Sequence, residues 1–361
     1  MSARPLPRKH LPTVVDLFAG MGGMSAGLHD AGLQVVAAVE IDEDARTTYR
    51  ANHPKVHLFG DVRNVTGDDI RTAVGVDEID VVVGCPPCQG FTRLTENRQD
   101  SDPRNVLVLE FLRLVNELRP RVCMMENVPG LTTRGRRLFS QLLDGLQEFG
   151  YAVAYDVLEL ANFGVPQMRK RLVLMAGLGH PVELPKPTHP GPERWRTLRD
   201  AIGELPPAPT RREVLQGAKP PIPWHYARDS ATVVRQRLSH AQKHGGSRAS
   251  LPKALRLACH DRCVGGFNDV YGVLDWDAPS STITSGCTNA SKGRFGHPSE
   301  PRALTPREAA IIQTLGRKYK LCGRGYESVS RQIGNALPRR FAKVAGRQIL
   351  RTLSTLDSGS N

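Results

Sequence analysis

"TVVDLFAGMGGMSAGL" (residues 13–28) runs from β-branched apolar residues through a glycine-rich turn into a helical pattern. Glycines at such a turn let the backbone bend tightly and approach a ligand, and the helix that follows presents its N-terminus. The same change of texture recurs outward along the chain. Strand-like runs follow at "QVVAAVE" (34–40), "IDVVVGC" (79–85), "RVCMMEN" (121–127), "YAVAYDVLEL" (151–160) and "RLVLMAG" (171–177). Helical stretches lie between several of them, as in "NVLVLEFLRLVNELRP" (105–120), where Val106, Leu109, Leu112 and Val115/Leu118 recur at helical spacing. Buried apolar strands alternating with helices predict an α/β fold with a doubly wound, mostly parallel sheet.

The texture changes near residue 181. "HPVELPKPTHPGPERW" and "ELPPAPTRREVLQGAKPPIPW" are crowded with proline, which disfavours long regular elements. Between Lys186 and Arg262 there are 15 Lys/Arg against 6 Asp/Glu and five histidines, within a chain of net charge +13. A concentrated positive field suits a polyanion; on its own it is equally a solvated basic surface. Helical patterning returns after 301: "TPREAAIIQTL" opens with Thr-Pro, and "SRQIGNALPRRFAKVAGRQILRTL" reads as a closing helix, with "STLDSGSN" as an unstructured tail. The expected division is therefore 11–180, a smaller irregular domain at 181–300, and a segment at 301–352 that returns to the first.

No apolar run reaches the ~18 residues of a membrane span. The basic N-terminus lacks a following apolar region, so no secretory signal is expected. Seven scattered cysteines, an odd count, predict reduced thiols in a cytoplasm.

Ligands of open α/β sheets bind beyond the carboxyl ends of the strands. The unusual residues gather there: the glycines after the first strand, Glu40 of "VEID" after the second, Asp61 of "FGDV", then "GCPPCQGF" (84–91) and "ENVPG" (126–130). Each alone has a plain reading, as a turn, a surface carboxylate or a helix cap. Gly20, Gly22, Gly23 and Gly27 depart from G-x-G-x-x-G, which favours a nucleoside cofactor without a pyrophosphate. A redox reading of C-P-P-C fits poorly, because a CxxC pair normally opens a helix. A zinc reading needs a second ligand pair, and Cys259/Cys263 with His260 has the wrong spacing, so no metal is expected. Cys85 is expected to point back into the strand. Cys88 stands past the strand end, and the proline before it limits the loop's freedom, as a positioned nucleophile requires.

Taken together, these residues resemble the C5-cytosine DNA methyltransferases. The likeness runs in order through "DLFAGMGGMSAGL", "VEID", "GDV", "GCPPCQGF", "DPRN" (102–105), "MENVPGL" (125–131), "ANFGVPQMRKRL" (161–172), "RALTPREAAIIQTL" (302–315) and "SRQIGNALP" (330–338). It departs at "QTLG" (313–316), where the family commonly has an aromatic residue and a proline; an altered domain contact is expected there. The resemblance implies S-adenosylmethionine as cofactor. Phe18 would stack on adenine, Glu40 hold the ribose, Asp61 meet the adenine amine and Asn335 help close the pocket. Gly20, Gly22, Gly23, Pro86 and Leu107 would complete the lining. Ile41 replaces a larger aromatic residue, so adenine packing there is expected to be looser.

The resemblance further implies covalent catalysis. Cys88 would add to cytosine C6, Glu126 would meet N3, Arg171 would contact the base near O2, and Arg169 would support it. It makes 181–300 a target-recognition domain for double-stranded DNA, with Ser285, Asn289, Lys292 and Arg294 as candidate DNA contacts. A monomer is expected. A restriction endonuclease sharing the target, not necessarily in contact, is the one protein counterpart implied. The alternatives are a tRNA cytosine methyltransferase and an inactive nucleic-acid-binding homologue. A nicotinamide-dependent dehydrogenase is disfavoured by the glycine spacing and the basic stretch.

Overall fold

The computed structural model describes residues 11–87, 106–258 and 269–359. Seven strands form one sheet: β1 (Thr13–Leu17), β2 (Gln34–Val39), β3 (His57–Phe59), β4 (Val81–Gly84), β5 (Val122–Asn127), β6 (Tyr151–Glu159) and β7 (Lys170–Leu178). Their order is β3-β2-β1-β4-β5-β7-β6. The first five are parallel, and β7 runs antiparallel between β5 and β6. The mostly parallel sheet expected from the sequence is the one observed. The order in which strands are added reverses between the parallel neighbours β1 and β4, which puts the ligand crevice beyond the carboxyl ends of those two strands.

Alternate residues of each strand feed opposite layers. Val82, Cys123 and Met125 meet α3 (Gly67–Val74), α4 (Leu107–Leu118) and α5 (Arg136–Glu148). Val81, Val83, Val122 and Met124 meet α1 (Gly23–Ala31) and α11 (Arg339–Gly359). The buried stripe of α4 is Val108, Phe111, Leu114, Val115 and Leu118. Of the stripe expected through Val106, Leu109, Leu112 and Val115/Leu118, the last two are buried, whereas Leu109 and Leu112 are half-buried and Val106 is exposed, so the first turns are rotated toward Val108 and Phe111. Its Phe111 ring sits over the bare Cα of Gly84, which fixes that rotation.

A further cluster joins Met21 and Ala26 to α6 (Leu198–Ile202), Ile283, Cys287, Phe295, α9 (Pro306–Ile312) and α10 (Tyr326–Asn335). A smaller one gathers around α8 (Thr232–Lys243) and the pair β8 (Gly272–Val273) and β9 (Arg294–Gly296). Helix α9 starts as its sequence predicts: Thr305 and Glu308 form a reciprocal cap, with Pro306 in the first turn. The expected single closing helix is two helices, because Pro338 cannot continue α10 and α11 begins after it. The tail read as unstructured continues α11 through residue 359; in it Leu356 packs against the core and Asp357 pairs with Arg121. Helix α2 (Glu43–Asn52) completes the layers around the sheet. Among the described residues no helix is long and apolar enough to cross a membrane.

Candidate active site

The turn after β1 is built from its backbone. Phe18 leaves the strand in the left-handed region (φ 58°), a conformation that costs a non-glycine residue on the order of 1–3 kcal/mol. Ala19 N donates to Val39 O (3.0 Å) and Gly22 N to Ala19 O (3.0 Å), tying the turn to β2. Gly20 N donates to Glu40 Oε2 at 2.8 Å, and Asp42 N donates to Glu40 Oε1 at 2.7 Å. The Glu40 carboxylate is thereby fixed beside the turn, with lone pairs left over. Burial lifts its pKa, and the two amides oppose that. Ile41, the next residue, is 63% exposed.

The three glycines expected to line a cofactor play different parts. Gly20 (φ 56°) faces open space. A Cβ on Gly22 would lie 2.6 Å from His53 Nε2, and one on Gly23 would overlap Leu337 O. These two let α1 pack against its neighbours. Asp61 caps a short turn, and its carboxylate is gripped by Arg63, which holds its pKa below the usual range.

Sequence reasoning passed over Asp16. It is 1% exposed; Ser25 Oγ donates to its Oδ2, and Oδ1 has no hydrogen-bond partner. Burial raises its pKa to about 7. An acidic residue as the penultimate position of an otherwise apolar strand was the available signal.

Beside β1, β4 delivers Cys85 and Pro86. Cys85 N donates to Leu17 O (3.2 Å), and the buried Asn127 donates through Nδ2 to Pro86 O (3.1 Å). Cys85 is half-buried, and its thiol is pushed well up by burial and by the carboxylates of Glu126 and Asp16, with Arg169 opposing. Cys88 lies outside the described residues, as do Cys259, His260 and Cys263. Leu107 opens α4, half-buried against the core.

Glu126, 7% exposed, is the penultimate residue of β5, and Arg171 Nε lies 2.6 Å from its Oε1. Arg169, 3% exposed, donates through Nη1 to Ile283 O (2.9 Å) and through Nη2 to Gly334 O (3.4 Å). Its Nε has no hydrogen-bond partner, and burial lowers its pKa to about 9. The structure therefore brings Glu126, Arg169, Arg171 and Cys85 together, with Asp16 close behind.

Beneath this group lies an amide network absent from the sequence reading. Gln167 accepts from Ile283 N (3.1 Å) and donates to Gln313 Oε1 (2.7 Å). Gln313 donates to Ile333 O (2.7 Å) and Ala336 O (3.0 Å). Met168 N and Ser280 O, then Ser280 N and Pro166 O, close a two-bond bridge. Asn335, the last residue of α10, is exposed beyond this network.

The four candidate DNA contacts divide. Ser285 and Lys292 are exposed. Asn289 caps the turn at Ala290–Lys292 by accepting from Ser291 N (3.0 Å). Arg294 is held by Asp269 (3.0 Å), Gly246 O (2.6 Å) and Val273 O (3.2 Å). Among the described residues no group of His, Cys, Asp and Glu is placed to hold a metal ion.

A glycine turn and a fixed carboxylate thus lie at the switch point of a doubly wound sheet, beside a buried Glu–Arg pair. The family model of C-5 cytosine-specific DNA methylases matches residues 12–351. The Type II methylase M.HgiDII of Herpetosiphon aurantiacus is 34% identical over 348 residues, covering 95% of this chain and 96% of that one. The Type II methyltransferase M.XorII of Xanthomonas oryzae is 34% identical over 369 residues, covering 95% and 85%. Among solved structures, a prophage-encoded protein of E. coli described as a DNA modification methyltransferase superposes with TM-score 0.73 at 23% identity, over 95% of this chain and 99% of that one. The chain belongs to the C-5 cytosine-specific DNA methylase family, and is by that membership a cytosine-C5 DNA methyltransferase.

Proposed function

We propose that the protein methylates C5 of a flipped-out cytosine within a specific double-stranded DNA sequence, through a transient bond from Cys88 to C6. The observation that carries this reading is the Glu126–Arg171 pair, held at the sheet edge next to the loop that leads to Cys88. A duplex hides its bases, so the target is extruded at a cost of a few kcal/mol. The Cys88 thiolate adds to C6, and the displaced electron pair is taken up at N3, where Glu126 hydrogen-bonds. Arg171 orients Glu126 and reaches the base near O2, and Arg169 holds the strand in place. Once C5 carries the methyl group beside its hydrogen, loss of that proton to water and expulsion of the Cys88 thiolate restore the aromatic ring.

The residues present fit S-adenosylmethionine. Asp16 has a buried oxygen without a partner, Gly20 faces open space, and Ile41 offers an exposed apolar surface beside Glu40. Asp16 would meet its ammonium, Glu40 the ribose hydroxyls, and Phe18 and Ile41 the adenine; Asp61, Pro86, Leu107 and Asn335 would close the rim. When bound, the cofactor supplies an electrophilic methyl group.

Residues 11–180 and 301–352 would form the catalytic domain, and 181–300 the target-recognition domain, whose excess of positive charge suits the DNA backbone. Ser285 and Lys292 are the candidate contacts with free side chains. A restriction endonuclease for the same sequence, a monomeric state and a bacterial cytoplasmic setting complete the reading.

Bisulfite sequencing of plasmid DNA from cells expressing the wild type and Cys88→Ser tests it. Methylated cytosines in one short context, absent with Cys88→Ser, are expected. Methylation in both would remove Cys88 as nucleophile; methylation in neither would remove DNA as substrate.

A further inference from the structure

The α1/α11 side of the sheet carries a cavity of about 390 Å³, lined in part by Gly164, Pro166, Arg196, Thr314, Arg340 and Lys343. None of the candidate catalytic or cofactor residues lines it. Helix α11 begins at its edge, but the first amides are taken: Arg339 N donates to Gln313 O (3.3 Å) and Arg340 N to Thr314 Oγ1 (2.9 Å). The positive field therefore comes from side chains.

The two acids in the lining are already engaged. Asp30 accepts from Arg339 Nε (2.8 Å) and Nη2 (2.7 Å), and Asp200 accepts from Thr197 N (2.9 Å) in a helix cap. Arg196, Arg340 and Lys343 have no ion pair among the described residues. Burial and the proximity of Arg196 hold Arg340 below its usual pKa. Burial, then Arg340, Arg196 and Arg194, hold His189 down as well. The crowding is accommodated at Gly164 (φ 76°), where a Cβ would lie 2.6 Å from Arg340 Nε and 2.9 Å from His189 Cε1. Its bare Cα leaves room for both side chains, of which Arg340 lines the cavity.

Arg196, Arg339, Arg340 and Lys343 outnumber Asp30 and Asp200 in the lining; the excess of positive charge disfavours the folded state, and an anion in its midst reverses the sign of that term. Guanidinium forks match phosphate geometry in particular, with two parallel hydrogen bonds. We propose that this cavity binds phosphate, carried either by a free phosphate compound or by the backbone of bound nucleic acid, with Arg196, Arg340 and Lys343 as its cationic contacts. Its volume falls within the range of small-molecule sites, about 300–1,000 Å³, so it takes more than a single phosphate group.

Calorimetric titration of the full chain with inorganic pyrophosphate, and separately with an alternating A·T duplex, tests this in wild type, Arg340→Gln, Arg196→Gln and Lys343→Gln. Unfolding midpoints of each variant establish that it is folded. Each substitution is expected to weaken pyrophosphate binding about tenfold while leaving the methylation rate at saturating DNA unchanged. A fall confined to pyrophosphate assigns the site to a free phosphate compound. A fall in duplex affinity with a shallower salt dependence assigns it to the nucleic-acid backbone. If neither ligand binds the folded variants more weakly than the wild type, the proposal is wrong.

Discussion

Arg171 reaches Glu126 diagonally across the β5–β7 pair, Nε to Oε1 at 2.6 Å, both side chains nearly excluded from solvent. Glu126 sits opposite Val173, so Arg171 is two residues along on the same face. Arg171→Ala strands a buried carboxylate, which costs about 3–5 kcal/mol in such pairs. Methylation in single turnover is expected to fall by about 10²-fold or more, with Arg171→Lys between the two because it lacks the fork. An Arg171→Ala enzyme of wild-type rate would show that Glu126 needs no partner.

Gly334 is in backbone contact with the segment at Thr284 and Ser285, where any Cβ would overlap the peptide itself. Peptide atoms cannot rotate away as a side chain can. Gly334→Ala is expected to lower stability by at least about 1–3 kcal/mol, read as a shifted urea midpoint. An unchanged midpoint would mean that the two segments separate freely.

Gln313 is the centre of the buried amide network. Gln313→Leu fills similar space but abandons Ile333 O, Ala336 O and the Gln167 amide. Each orphaned group costs about 1–3 kcal/mol. Limited proteolysis should cut near 280–285 faster in the variant; identical digestion patterns would count against the network as the tie.

Asp16 and His53 drive the pH dependence of stability in opposite directions. Burial lifts Asp16 to about 7, so the folded chain keeps a proton that the unfolded chain releases above about 4. That contribution is complete at low pH and is lost as pH rises from about 4 to about 7. Burial takes His53 down to about 4, whereas an unfolded imidazole titrates near 6.5. Its contribution is complete above about pH 6.5 and is lost as pH falls toward about 4. Asp16→Asn removes the first effect only, so its stability relative to wild type should climb with pH across that window, by up to about 1.4 kcal/mol per unit. Parallel denaturation profiles for the two proteins would show that Asp16 titrates normally.

Ile41 is 63% exposed next to the fixed Glu40 carboxylate. Ile41→Trp offers an aromatic face to a stacked adenine, and S-adenosylmethionine should bind about 3- to 10-fold tighter by calorimetry. Equal affinities would place adenine elsewhere.

The sheet was legible because parallel strands covered on both faces read as unbroken apolar runs, as "VVVG" and "VCMM" do. β3 was not, since "HLF" is three residues and none of them is fully buried. Helix α3 escaped for a related reason: in "GDDIRTAV" only Gly67 and Ile70 are buried. The nearness of Phe18, Gly20 and Glu40 was legible because they follow the ends of two successive parallel strands, β1 and β2. The Gln167–Gln313 network was not, because its partners are 146 positions apart and amides carry no periodic signal. Nor does composition distinguish Gly20, which faces open space, from Gly22 and Gly23, which serve packing.

The bridge between Pro166–Met168 and Ser280 pins the two ends of a long excursion to the same spot. A loop whose ends are fixed pays for extra length only logarithmically, roughly 0.6 kcal/mol for each doubling. Within that excursion β7 belongs to the sheet and stays in place, whereas the chain from the end of β7 at Leu178 to Ser280 can lengthen or shorten at this low cost. A single sheet can in this way carry insertions of different length, and a graft made between Leu178 and Ser280 is the one that keeps all seven strands.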